Sequence, residues 1–152
     1  MIIYRKATLD DIKEIQELVR EEVINGIILP RADDEVATNI RSYTLAEKNG
    51  KVVGLSALHI HAPHLAEVRS IVVRGDLRGN GVGAQIVKKL LEEGKKLGLK
   101  QVFTLTYQKE FFEKLSFKEI PKESLPTSKI WADCIKCKHF PVCDEIALII
   151  NI

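Results

Sequence analysis

Aromatic residues make up only 6% of this 152-residue chain, too few to furnish the stacking platforms on which single-stranded nucleic acid is bound. An excess of one charge is also missing. Lys plus Arg number 23 against 21 Asp plus Glu, a formal net charge of +2, which gives no bulk attraction for a phosphate backbone. No stretch approaches the roughly 18 consecutive apolar residues that cross a bilayer. Met1 to Asp10 carries Arg5 and Lys6 but no apolar core behind them and no small-residue cleavage site, so no secretory signal is expected. Cysteine is scarce: there are three, and all lie between positions 134 and 143. An odd, clustered set suits thiols or a metal site better than a disulfide framework. Neither nucleic acid nor membrane is expected as a partner, and a cytoplasmic protein is.

What is present has an ordinary globular balance, with 45% hydrophobic and 29% charged residues. A chain of this length buries about two-thirds of its unfolded surface and needs no staple. One domain over residues 1–152 is expected. Ile2 to Ala7 reads as a strand. Thr8, with Asp11 three residues on, opens a helix over 9–24, whose Ile12, Ile15, Val19 and Val23 form one apolar stripe closed by Asn25-Gly26. A weaker helical pattern covers 33–42. Asn49-Gly50 between 44–47 and 52–60 signals a hairpin. Glu67 to Val73 is a further strand, rich in Val and Ile, and a glycine-rich loop runs from it into a helix. That helix keeps Ile86, Val87, Leu90, Leu91 and Leu97 on one side and ends at Gly98. A strand over 100–106, a short helix over 109–115 and a last strand over 146–150 follow. Interleaved strands and helices make the class α/β, or a mixed α+β sheet.

The loop carries Gly79, Gly81 and Gly83 behind Arg78, between a β-branched strand and a helix. Glycine permits positive φ and close approach of a ligand. The first N–H groups of a helix have no intrahelical partner and sit at the positive end of its dipole. Such a loop suits a pyrophosphate, with Arg78 adding charge, although a plain tight turn uses the same residues. Val82-Gly83-Ala84 lacks the lysine and hydroxyl of a Walker loop. The dinucleotide fingerprint fits only loosely, and helices and antiparallel strands precede this strand where a Rossmann unit would open with it.

Ile71-Val72-Val73 followed by Arg78-Gly79-Asn80-Gly81-Val82-Gly83 resembles the acetyl-coenzyme A signature of the GNAT N-acetyltransferase superfamily. The order of elements is similar to that fold. Phe112-Glu113-Lys114-Leu115-Ser116-Phe117 resembles the family's closing Tyr-x-x-x-Gly-Phe, so the resemblance spans nearly the whole chain. It implies a GNAT acyl-CoA N-acyltransferase fold with acetyl-CoA as co-substrate. The backbone at Ile71, Val72 and Val73 would pair with the pantetheine arm, residues 78 to 83 would hold the pyrophosphate, and Phe112 would stand at the cofactor. Transfer would be direct, from thioester to amine, with both substrates held together.

An ammonium must lose a proton before it attacks, so a general base is expected. Glu67 lies where some branches of the family place one. Strand alternation puts residues 67, 69, 71 and 73 on one face and lets Glu67 point into the site. Phe112 replaces the tyrosine that usually serves the departing thiolate, and Tyr107 and Thr106 are the substitutes. Three further pieces resemble the short, single-domain N-acetylglutamate synthase-like branch: Ile27-Ile28-Leu29-Pro30-Arg31, Glu67-Val68-Arg69-Ser70 and Leu105-Thr106-Tyr107. The resemblance implies a small amino-acid acceptor, L-glutamate, in the first step of arginine biosynthesis. Arg31 and Arg69, with Ser70, would bind its carboxylates, for which arginine's fork is suited. A homodimer stays open. So do another small amine as acceptor and a coenzyme A-binding module without turnover.

Cys134, Cys137, His139 and Cys143 have the spacing of a four-ligand structural zinc site, and reduced structural thiols are the alternative. His59, His61 and His64 also cluster. Residues 59 and 61 share a strand face, but no carboxylate motif accompanies them, and an exposed strand end and turn is expected.

Overall fold

The structure is a computed structural model that describes residues 1–125 and 145–152. Cys134, Cys137, His139 and Cys143 lie outside the described residues. The described chain forms a seven-stranded mixed sheet flanked by helices on both faces. Strands β1 (Ile2–Lys6), β2 (Tyr43–Lys48), β3 (Lys51–Ala62) and β4 (Leu65–Val73) run as an antiparallel meander. Strand β5 (Gln101–Thr106) joins β4 in parallel, and β7 (Ile146–Asn151) inserts antiparallel between β5 and β6 (Lys118–Ile120). This is the mixed α/β architecture that the element order implied.

Helices α1 (Ile12–Ile24) and α2 (Asp33–Thr38) cover one face. Their apolar stripe, with Ile15, Val19 and Val36, packs on Tyr43, Leu45, Leu55, Ala57 and Val72. Helix α3 (Val82–Leu97) covers the other face with Val82, Ile86, Val87 and Leu90. Helix α4 (Lys109–Glu113) contributes Phe112 to the same side. Asn49 and Gly50 both have positive φ, 52° and 77°, the geometry of a two-residue hairpin turn that follows strand twist. Gly98 at φ 95° ends α3 as expected.

Other expectations are corrected. The pattern over 33–42 splits into α2 and a 3₁₀ turn over Ile40–Ser42, because residues 39–42 must rise into β2. Strand β6 was not legible: it is three residues long, mostly exposed, and pairs with a strand far along the chain. Ser116 stands where the family pattern has glycine, and its φ of 76° is the left-handed conformation that glycine would adopt there.

One irregularity of the sheet decides which side chains meet on each face. Leu55 pairs with Val72 and Ala57 with Arg69, so Ser56 on β3 faces both Ser70 and Ile71 on β4. This is a β-bulge, with Ser70 at φ 59°. The Ser56 hydroxyl donates to the Arg69 carbonyl at 2.8 Å and pins it. Alternation is thereby reset. Ala66 and Val68 pack toward α3, and so do Ile71 and Val73, whereas Val72 packs toward α1. Glu67 and Arg69 therefore belong to the α1–α2 face and do not share a face with Ile71 and Val73, contrary to simple period-two reading.

Candidate active site

Backbone pairing of β4 with β5 covers only Leu65–Glu67 against Gln101–Phe103, although both strands continue. Just beyond, the Thr104 hydroxyl donates to the Val68 carbonyl at 3.0 Å, a side chain in place of the next backbone bond. From there the β5-facing edge of β4, including Ile71, Val72 and Val73, has no strand beside it among the described residues. This is the place for an extended chain to add as a strand. At its end lies the glycine loop. Gly79 and Gly81 have φ of 82° and 81°. The N–H of Gln85 is the first to bond back to the turn, at Gly81 O, so the N–H groups of Val82, Gly83 and Ala84 precede the helical ladder. Gly79 and Gly81 have open space where a Cβ would stand. Asn80 sits between them. Arg78 is placed differently from expectation: its Nε donates to the Val73 carbonyl at 3.0 Å and its guanidinium meets Glu22 at 3.1 Å.

Phe112, expected at the cofactor, is fully buried, edge-on to both Phe111 and Phe117 at centroid distances of 5.0 and 5.1 Å. The ring next to the first turn of α3 belongs instead to Phe111, whose Cζ lies 3.3 Å from the point where a Cβ on Gly83 would sit. The short helix α4 turns its second phenylalanine to the core and its first to the loop.

On the α1–α2 face a narrow cleft is lined by Arg31, Asn39, Ser42, Tyr43, Ala57, His59, Arg69 and Ser70. It brings together all three residues expected to bind the acceptor. Arg31 reaches it from the segment between α1 and α2, where Gln16 fixes the backbone by donating to the Arg31 carbonyl at 2.7 Å. Its guanidinium meets Glu35 at 2.6 Å. Arg69 arrives from β4 just before the bulge. Burial raises the Tyr43 phenol pKa above its ordinary value, while the charges of Arg31 and Arg69 both act to lower it.

Behind the cleft sits Glu67, only 2% exposed. Its Oε1 accepts from Arg69 Nε at 2.9 Å and lies 2.9 Å from His61 Nε2. The His61 side chain is 5% exposed, which corrects the expectation of an exposed strand end. It stacks at a tilt on Phe103 and edge-on to His59. His64, in contrast, is exposed in the turn after β3. The signal that could have found His61 is the pairing of β3 with β4, which puts His59 opposite Glu67; neither residue reveals it alone. Asn39, Ser42 and Tyr43 come from one short stretch leading from α2 into β2 and carry no sequence signal for a site. At the end of β5, Thr106 is buried and its hydroxyl accepts the Gln108 N–H at 2.9 Å, while Tyr107 is exposed. The geometry can hold an anionic group between two arginines, beside a buried carboxylate and the open edge of β4. Among the described residues no cluster of three or more metal-ligating side chains occurs, and no helix is long and apolar enough to cross a membrane.

Known proteins are similar in both sequence and fold. An uncharacterized N-acetyltransferase of Chlorobaculum tepidum is 35% identical over 145 residues, covering 95% of this chain and 93% of that protein. The amino-acid acetyltransferase of Mycobacterium tuberculosis is 34% identical over 121 residues, 78% of this chain and 69% of that one. The amino-acid acetyltransferase of Vibrio vulnificus is 31% identical over 127 residues, but the chain spans only 28% of its length. The structure of N-acetylglutamate synthase from Neisseria gonorrhoeae, complexed with coenzyme A and N-acetyl-glutamate, superposes with a TM-score of 0.89 at 20% identity. It covers 99% of this chain and 35% of that one, a likeness of fold. The model of the acetyltransferase (GNAT) family matches residues 10–117, and with the strand gap and glycine loop in place, the chain belongs to that family.

Proposed function

We propose that the protein transfers acetyl from acetyl-CoA to the α-amine of a small amino acid, L-glutamate first among the candidates. The observation that carries this reading is the convergence of Arg31, Arg69 and Ser70 on one cleft, with Glu67 directly behind it. Two guanidinium groups suit a carboxylate-bearing acceptor, whereas a polyamine would need acids there. The similarity to amino-acid acetyltransferases supports the same choice.

Ile71–Val73 would hold the extended arm of acetyl-CoA, and the N–H groups at the start of α3 would hold its pyrophosphate, with Gly79, Asn80 and Gly81 leaving the approach open. Arg78, next to the loop, would add its charge to the pyrophosphate. Glu67 takes a proton from the acceptor ammonium, directly or through water. The amine then attacks the thioester carbonyl. As the tetrahedral intermediate collapses the C–S bond breaks, the nitrogen loses its second proton to solvent to leave the neutral amide, and Tyr107 or Thr106 gives a proton to the departing thiolate and regains one from solvent. Holding both substrates in one place supplies much of the rate by removing the entropic cost of encounter.

The test is coenzyme A release, followed with a thiol reagent, for a panel of amino acids and polyamines. Preference for glutamate is expected, with Arg31→Ala raising the KM for the acceptor at least about tenfold, the weight of one charged hydrogen bond, and leaving that for acetyl-CoA unchanged. Activity on another amine alone would keep the chemistry and refute the acceptor. Binding of acetyl-CoA without turnover for any amine would favour a non-catalytic module.

A further inference from the structure

The carboxylate of Glu67 is held from two strands. Arg69, on its own strand, donates to Oε1, and His61, on β3, meets the same oxygen, each at 2.9 Å. The two partners differ in what else they do. Arg69 lines the cleft, so a carboxylate entering there draws on the same guanidinium. His61 does not line it. Its side chain is 5% exposed, clamped between Phe103 at 5.3 Å and His59 at 4.8 Å. It therefore stays with Glu67 when the acceptor arrives. Among the described residues, the charged and titratable groups around Glu67 are Arg69 from β4 and His61 and His59 from β3. Strand β5 presents only the apolar Phe103, and the helical layer brings Arg31 and Glu35 to the cleft, where both act on Tyr43.

We propose that His61 is the positioning residue for Glu67: its Nε2–H donates to Oε1, orients the carboxylate toward the cleft and favours its ionised form. A hydrogen bond given to the charged form of an acid is what keeps a buried carboxylate ready to accept a proton. The pairing of an oriented imidazole with a buried carboxylate is a recurrent device for holding a base in place; here the carboxylate is the group being held. This inference rests on the reading of Glu67 as the base.

The experiment compares pH profiles of kcat/KM for the acceptor in the wild type and in Glu67→Gln, His61→Phe and His61→Gln. Loss of the wild-type acid limb in Glu67→Gln is expected, leaving only the rise that follows deprotonation of the acceptor amine at high pH, and this tests the base assignment by itself; a limb kept at its wild-type position would overturn that assignment and this inference with it. Given the loss, His61→Phe, which keeps a ring against Phe103 but no donor, moves the limb up by about one pH unit. It also lowers kcat about tenfold or more, with KM for acetyl-CoA unchanged. His61→Gln, which keeps a donor, leaves the limb near its wild-type position. Equal losses of rate in both His61 variants with the limb unmoved would reduce His61 to a packing residue and overturn the proposal. A measurement that needs no variant is the tautomer of His61 by long-range nitrogen–proton correlation. Nε2–H is expected, and a neutral ring carrying its proton on Nδ1 would refute the donor role.

Discussion

Substituting Asp11 by Asn tests how the layer above the acceptor cleft is fastened. Asp11 lies at the turn into α1 and its two carboxylate oxygens each meet Arg5 of β1 at 2.8 Å. It also accepts the Thr8 N–H at 2.7 Å. These contacts hold the start of α1 to the first strand. The Arg5 guanidinium lowers the Asp11 carboxyl from 3.8 to about 2. That difference is equivalent to about 2 kcal/mol. Arg5 is 32% exposed, and solvent screening reduces the expected contribution to about 1–2 kcal/mol. Because the folded-state value lies below the unfolded one, this stability is fully present above about pH 4 and is lost as pH falls toward 2. Urea denaturation of both proteins from pH 7 to pH 2.5 is the assay. Asp11→Asn should be less stable by about 1–2 kcal/mol at pH 7, with the gap narrowing steadily as pH falls below about 4. Arg5 retains Glu47 at 3.0 Å in the variant, so the loss should not grow larger. A gap that stays constant through the acid range would refute the ion pair as its source.

Other expectations concern the site. Glu67→Gln should cost most turnover at neutral pH and least at high pH, where the amine is already deprotonated; an unchanged pH–rate profile would remove Glu67 as the base. Ser70→Val forces a β-branched residue to φ 59° and should cost about 1–2 kcal/mol or expel the bulge. Ser70→Gly should keep the fold while raising the KM for the acceptor through loss of the hydroxyl, and a thermal melt paired with acceptor kinetics separates the two outcomes. Gly83→Ala must displace the Phe111 ring, which would lie 3.3 Å from the new Cβ. It should raise the KM for acetyl-CoA while leaving that for the acceptor alone, as initial-rate kinetics would show.

The parts of this protein that could be read from the chain are those governed by neighbours in sequence. Asn49-Gly50 specifies its own turn because both residues tolerate positive φ. Helices α1 and α3 carry apolar stripes at helical spacing, and Gly98 ends the second of them. The strand, glycines and helix start that form the loop at 78–83 are contiguous, so the open loop with its free helix N–H groups was legible there. Arg31, Glu67, Arg69 and Ser70 could be named singly, but nothing local brings Arg31 to β4. The tertiary structure decided what depends on pairing between distant strands. The bulge at Ser70 turns Glu67 and Arg69 away from the face of Ile71 and Val73. It arises because one residue of β3 must answer two of β4, and a period-two pattern cannot record that. The burial of His61 against Glu67 depends on the same register. Phe111 and Phe112 are adjacent and chemically identical, and only packing sends one to the loop and the other to the core. Local periodicity sets which segments are helix or strand; the contacts that make a catalytic centre are long-range, and only the assembled sheet brings them within hydrogen-bond distance.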